Sequence, residues 1–269
     1  MSAPRDRIVE ILTEAESFAR EAGALTLRYF GGEVDVETKG DGTPVTIADR
    51  QAEALLRRRI EDRFPGHGIL GEEEGESGEG AEIRWIVDPI DGTKSFVAGV
   101  PLYAVLIGVE IEGVPSVGVA HFPALRETVV AGRGLGARLN GRPCSVSTRD
   151  DLARSVLLTT DAGAISDSPI GHGWRALRKA AAVTRTWGDA YGHILVATGR
   201  AEIMVDPELS PWDAAPLLPI VTEAGGRFTS LEDEATIHGG SGVSTNGLLH
   251  AATLDRLRAS LGIGMGAAD

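Results

Sequence analysis

Apolar residues recur at three- and four-residue steps over 5–30, at Ile8, Leu12, Ala15, Phe18, Ala22 and Leu25. That spacing predicts one amphipathic helix, and Gly31-Gly32 ends it. Residues 46–64 repeat the pattern with Leu55, Leu56, Ile60 and Phe64, and Pro65-Gly66 lies beyond the end. The run from Ile83 to Val87 reads instead as a buried strand. It is expected to stop at Asp88, because Pro89 has no backbone N–H for a ladder. From Leu102 to Asn140 the pattern is that of strands: Tyr103–Ile111, Val117–His121, Glu127–Ala131 and Ala137–Leu139. Turns are expected near Glu112-Gly113 and at Asn140-Gly141, the latter a strong hairpin signal. An antiparallel sheet with the first two helices over one face follows. The acid- and glycine-rich stretch Gly75 to Gly80 reads as an exposed loop.

Beyond Ser155 strands and helices alternate. Ser155–Thr159, Thr184–Trp187, Glu202–Val205, Gly226–Thr229 and Val243–Thr245 are strand candidates. Trp174–Ala182, Ala190–Thr198, Pro211–Ala224 and Leu248–Leu261 are helix candidates. The alternation predicts an α/β half with a mixed sheet. Two halves are therefore expected, 1–145 of α+β type and 146–269 of α/β type.

A chain of 269 residues with 42% hydrophobic and 24% charged residues is ordinary for a globular protein, so a large core is expected. A net charge of −13 argues against a nucleic-acid partner, which would need basic patches. A solvated acidic surface explains that charge most simply, and cations held among the carboxylates would reduce it. Cys144 is the only cysteine, so no intrachain disulfide can form. No signal-like N-terminus and no run of ~18 uncharged apolar residues is present. The expectation is a cytoplasmic protein without membrane contact. None of the six histidines has zinc-site spacing, and Gly239-Gly240-Ser241-Gly242 lacks the lysine of a nucleotide cradle.

The chemistry concentrates in Trp85-Ile86-Val87-Asp88-Pro89-Ile90-Asp91-Gly92-Thr93. Two carboxylates three residues apart at a strand mouth suit hard divalent cations, which prefer oxygen ligands. Gly92-Thr93 can open a helix whose free N–H groups attract phosphate. Metal and phosphate at one point suggest metal-assisted phosphoryl hydrolysis. Singly, Asp-Pro and Asp-Gly are common turn dipeptides; the ordered combination is far more specific.

At this string the chain resembles the inositol monophosphatase superfamily of Mg2+-dependent, lithium-sensitive phosphatases. Gly71-Glu72-Glu73, Trp212-Asp213-Ala214-Ala215 and Pro44-Val45-Thr46-Ile47-Ala48-Asp49 match its other motifs in order. The resemblance covers nearly the whole chain and implies a layered α-β-α-β-α sandwich with the site between the halves. It places Glu72, Asp88 and the Ile90 carbonyl on one Mg2+, and Asp88, Asp91 and Asp213 on a second. A third, weaker ion would touch Glu72, and the protein would be a homodimer. Thr93 and Asp49 would form an activation pair, the Thr93 hydroxyl orienting the attacking water and giving its hydrogen bond to Asp49. The phosphate would lie against the Gly92 and Thr93 amides, with Glu72, Ile90, Asp91 and Asp213 around it. Simpler roles exist for each: Glu72 in a solvated acidic loop, Asp49 complementing a helix dipole, Asp213 closing a capping box after Ser210-Pro211.

Departures from the inositol-phosphatase pattern narrow the substrate. Lys94-Ser95-Phe96 departs from that pattern, and Asp91-Gly92-Thr93-Lys94 resembles both the branch acting on 3′-phosphoadenosine nucleotides and the histidinol-phosphate phosphatase branch. Trp187-Gly188-Asp189-Ala190-Tyr191 resembles the histidinol-phosphate phosphatase branch. So does the closing stretch from Glu223 to Leu249. Asp206 and Glu208 lie where that branch contacts the organic part of its substrate. With Asp189 they would form an anionic patch suited to an ammonium and an imidazole. The alternative for Asp189 is that it only caps the helix beginning near Ala190. The expected function is L-histidinol-phosphate phosphatase. Alternatives are an inositol-1-phosphate phosphatase of broad specificity, a 3′-phosphoadenosine-type nucleotidase and a non-catalytic regulatory homologue.

Overall fold

Side chains alternate along the central strands, and both faces of that alternation are buried. In the computed structural model, which describes residues 4–259 other than 33, 34, 41 and 43, this alternation sets the layering. The N-terminal half runs α1 (Pro4–Thr26), β1 (Val36–Thr38), β2 (Pro44–Thr46), α2 (Ile47–Arg63), β3 (Gly68–Gly71), β4 (Gly75–Ser77), β5 (Ile83–Asp91) and α3 (Thr93–Val97). It continues through β6 (Ala104–Ile111), β7 (Val114–Phe122), β8 (Glu127–Gly132), β9 (Gly136–Leu139) and β10 (Arg142–Pro143). Trp85, Val87, Val105, Ile107, Val117 and Val119 face α1 and α2, meeting Ile11, Phe18, Leu56 and Ile60. Ile86, Leu106, Ala120 and Phe122 point the other way, towards Ile194, Leu217 and Ile220. Each fully buried Leu or Ile of this kind contributes about 1.5–3 kcal/mol relative to exposure.

The second half comprises β11 (Val156–Leu158), α4 (Ala162–Asp167), α5 (Gly171–Ala180), β12 (Val183–Arg185), α6 (Asp189–Ala197) and β13 (Ile203–Asp206). α7 (Pro211–Glu223), β14 (Arg227–Thr229), β15 (Gly242–Thr245) and α8 (His250–Arg258) complete it. Its five-stranded sheet has the order β12-β11-β13-β15-β14 and is mixed, as the alternation predicted. α5 and α8 cover its outer face through Trp174, Leu177, Leu254 and Leu257. α6 and α7 lie between the two sheets. The layers therefore run α-β-α-β-α.

Three expectations need correction. The eight-stranded sheet is not purely antiparallel, because β3 pairs parallel with β5. Gly75–Ser77 is a short edge strand paired with β3, not a free loop. And β5 does not stop at Asp88. It carries Pro89 and runs to Asp91, with a register shift against β6 between Asp88 and Asp91. β3 ends opposite Val87, so Pro89 falls where the ladder is already interrupted and its missing N–H costs little. The hairpin at Asn140-Gly141 has both residues at positive φ, 49° and 77°, as that turn type requires. The two-stranded ribbon of β1 and β2, and α4, had no clear pattern in the sequence. Residues 260 and 261, expected in the last helix, lie outside the described residues. No helix among the described residues is long and apolar enough to cross a membrane.

α7 is pressed unusually close to the sheet. Gly108 and Gly118 are cross-strand partners on β6 and β7. A Cβ on Gly118 would stand 2.2 Å from the Pro216 carbonyl oxygen, and one on Gly108 would stand 2.5 Å from Ala215 Cβ. Gly118→Ala should therefore destabilise the protein by about 1–3 kcal/mol through overpacking. Urea denaturation checks this: the midpoint should fall with the slope unchanged. An unchanged midpoint would mean that α7 shifts freely.

Candidate active site

Three carboxylates converge where β5 ends and α7 begins. Ligand oxygens of Asp88, Asp91 and Asp213 all lie within 4.8 Å of one another. Each acid uses one oxygen to seat itself on the backbone. Asp88 Oδ1 accepts the Ile90 N–H at 2.9 Å, Asp91 Oδ2 accepts the Ala190 N–H at 2.9 Å, and Asp213 Oδ2 accepts the Ser210 N–H at 2.9 Å. The second oxygen of each is left to the cluster. The capping role of Asp213 is thus real: Ser210 and Asp213 close a capping box. It does not exclude a ligand role, because one oxygen suffices for the cap.

Glu72 follows β3 and lines the same cleft, of about 470 Å3, but is not one of the three oxygens in tight contact. Lys39 Nζ bonds Glu72 at 2.8 Å and Glu73 at 2.6 Å. Glu53, fully buried on α2, fixes the loop from below by accepting the Glu73 and Glu74 N–H groups at 2.8 and 3.0 Å. Gly71 is required there, since a Cβ would stand 2.0 Å from Glu53 Oε1. The Ile90 carbonyl also reaches this region and accepts the Thr93 hydroxyl at 3.1 Å.

Gly92, at φ 78°, turns the chain from β5 into α3, and with Thr93 it lines the cleft. The direct hydrogen bond expected between Thr93 and Asp49 is not made. Thr93 gives its proton to Ile90, three residues back in the same tight turn. Asp49 Oδ2 closes a capping box instead, accepting the Thr46 N–H at 2.8 Å and its hydroxyl at 2.6 Å. Asp49 Oδ1 is buried and has no hydrogen-bond partner among the described residues, so that carboxylate retains acceptor capacity.

Asp189 lines the cleft, whereas Asp206 and Glu208 do not. Its helix-capping alternative fails: Gly188 is the N-cap of α6 and no side chain caps it. The Asp189 carboxylate lies instead against Gly92 and accepts the Ser95 hydroxyl at 3.4 Å. Asp206 is 3% exposed at the end of β13 and bonds Thr160, while Glu208 is exposed. Lys39, Glu53 and Thr160 are site residues that sequence patterns missed. None stands in a spacing that marks chemistry; each reaches the site through a contact distant in the chain.

Burial, followed by the Glu72 and Asp213 charges, holds the Asp88 carboxyl well above its usual range. Burial, then Asp189 and Asp213, does the same for Asp91. Burial pushes Asp213 up to about 7. A buried cluster of carboxyls resisting ionisation is the donor set a hard divalent cation would satisfy. It also fixes a sign. A carboxyl whose folded pKa exceeds the unfolded one contributes stability below the unfolded pKa and loses it as pH rises through the folded pKa. His121 and His250, both lowered to about 4 by burial, oppose this trend below their unfolded pKa. The clean window therefore opens above pH ~6.5, the ordinary histidine value. Cation-free protein should melt at a lower temperature at pH ~8 than at pH ~6.5. Added Mg2+ should raise the melting temperature more at the higher pH. Thermal scans after chelation check both; a cation shift independent of pH would remove the cluster as its cause.

A profile of the inositol monophosphatase family matches residues 8–261. The histidinol-phosphatase of Chlorobaculum parvum is 48% identical over 234 residues, 86% of this chain and 90% of that protein. That of Mycobacterium tuberculosis is 43% identical over 251 residues, 91% and 96% of the two chains. Among solved structures, the extragenic suppressor protein suhB of Bartonella henselae superposes with a TM-score of 0.87 at 30% identity, covering 93% of this chain and 98% of the other. An IMPase of Thermotoga maritima gives 0.85 at 30% identity, covering 94% and 98%. The acid cluster at the end of β5 and the sandwich around it are accordingly those of a metal-dependent phosphatase fold, and the chain belongs to the inositol monophosphatase family.

Proposed function

We propose that this phosphoric monoester hydrolase acts on L-histidinol phosphate and works with Mg2+. Glu72, Asp88, Asp91, Asp213 and the Ile90 carbonyl would hold two or three Mg2+ ions. When bound, divalent cations supply positive charge to the phosphoryl oxygens and the leaving oxygen, and make water easier to deprotonate. The chain's own residues do the rest. The Gly92 and Thr93 amides hold the ester phosphate. Thr93 orients the attacking water once its hydroxyl leaves the Ile90 carbonyl, and Oδ1 of Asp49, without a partner among the described residues, takes the resulting hydrogen bond. Lys39 holds Glu72, which lines the cleft, and pairs with the neighbouring Glu73. On the family resemblance the same reading takes the enzyme as a cytoplasmic homodimer.

One observation carries the substrate: Asp189 lines the cleft, and the helix it begins does not use it as a cap. A carboxylate there favours a phosphate ester with a cationic body over a neutral cyclitol. It disfavours a nucleotide bearing a second phosphate still more. The two relatives named histidinol-phosphatase support the same choice. Phosphate release from L-histidinol phosphate and from inositol 1-phosphate, run in competition with and without chelator, tests the reading. A faster reaction with inositol 1-phosphate would overturn the substrate, and chelator-resistant release would overturn the metal.

A further inference from the structure

Asp206 is almost wholly buried, yet both oxygens of its carboxylate bond Thr160, a residue of the cleft wall. Its Oδ1 accepts the Thr160 N–H at 2.9 Å and its Oδ2 the Thr160 hydroxyl at 2.9 Å. Behind it, His193 Nε2 stands 3.3 Å from Oδ2, and His193 Nδ1 is 2.7 Å from the Ser244 hydroxyl. In front, Thr160 Oγ1 is 2.8 Å from the Asp189 amide nitrogen. The directions in this chain are fixed. An amide N–H can only donate, so Thr160 accepts from Asp189. A carboxylate can only accept, so the single hydroxyl proton of Thr160 goes to Asp206.

Asp189 needs such support. Its φ of 52° lies in the left-handed region, where a residue with a side chain persists only if its neighbours determine it. Gly188 brings the start of α6 against Thr160 closely enough that a Cβ would stand 2.3 Å from Thr160 Cα. We infer that Asp206 is a positioning residue for substrate selectivity. Backed by His193 and Ser244, it orients the Thr160 hydroxyl, which holds the Asp189 amide and keeps the Asp189 carboxylate on the cleft wall. The inference rests on reading Asp189 as the group that recognises the cationic body of the substrate. It differs from a direct contact by Asp206, which does not line the cleft.

Asp206→Asn separates these roles. Oδ1 must stay an acceptor for the Thr160 N–H, so the new NH2 falls where it faces the Thr160 hydroxyl and His193. The hydroxyl proton then loses its acceptor. In Mg2+-loaded protein, amide hydrogen exchange at Asp189 should become at least about tenfold faster. The preference for L-histidinol phosphate over inositol 1-phosphate in kcat/KM should fall by about fivefold or more. The double variant with Asp189→Asn should lose no more preference than Asp189→Asn alone, because the two act as one unit. Thr160→Val should also speed exchange at Asp189 and Thr160→Ser should not, which keeps the test decisive if Asp206→Asn folds poorly. Unchanged exchange at Asp189 in Asp206→Asn or Thr160→Val would overturn the inference, and so would selectivity losses that multiply in the double variant. Wild-type enzyme without the substrate preference would overturn the substrate reading alone, since the exchange measurements stand apart from it.

Discussion

Asp91→Asn is expected to lower kcat by at least ~10²-fold, the scale seen when one charge-stabilising group is lost from a developing oxyanion. The substitution is well matched to the question. Asparagine keeps an acceptor for the Ala190 N–H, so the seat of α6 on the first half survives. What disappears is one negative charge from a buried trio whose oxygens lie within 4.8 Å. In cation-free protein that trio repels itself, so the variant should melt no lower than wild type, and its melting should fall less with rising pH. In exchange it should lose most of the stabilisation that Mg2+ gives to wild type. Turnover and thermal scans with and without Mg2+ read both effects. A variant that keeps full turnover would remove Asp91 from the cation site. One that fails to fold would instead place its importance in the contact with α6.

The second large effect concerns selectivity. Wild-type enzyme should prefer L-histidinol phosphate to inositol 1-phosphate in kcat/KM, and Asp189→Asn should erode that preference by about 1–3 kcal/mol. The structure sharpens why. Burial, then the nearby Asp206, raises the pKa of the Asp189 carboxyl above the ordinary carboxylate value, so a cationic group docking beside it meets an ion poorly solvated by water. Hydrolysis of inositol 1-phosphate should change much less, because damage to the acid cluster would lower both rates together. Competition kinetics on the wild type and this variant separate the cases. An undiminished preference in Asp189→Asn would leave Asp189 with its contacts to Gly92 and Ser95 as its role.

Much of this was legible in the chain because it is local. Period-3.6 spacing marked α1 and α2, and apolar runs marked β5 to β9. Ser210-Pro211 followed by Asp213 announced the start of α7, since a cap is written within four consecutive residues. The order of acids in the four motifs pointed to a metal and a phosphate before any geometry was known. Pro89 misled, because its missing N–H terminates a strand only where the ladder is intact, and the register shift there is a property of β6 as much as of β5.

Sequence by itself therefore determined most of the long elements, the acid string and the family. Tertiary structure decided which acids meet and what each one does. Asp91 and Ala190 are 99 positions apart, and Lys39 and Glu72 are 33 apart. Asp206, expected to touch substrate, turns inward to Thr160, 46 positions away. Asp189, open to a capping reading, lines the cleft, while the N-cap position of α6 belongs to Gly188. The reason is physical: periodicity and capping depend on neighbours in the chain, whereas the partner of a carboxylate depends on strand register and helix seating. Those are set by the packing of both sheets around α6 and α7, which no local stretch encodes.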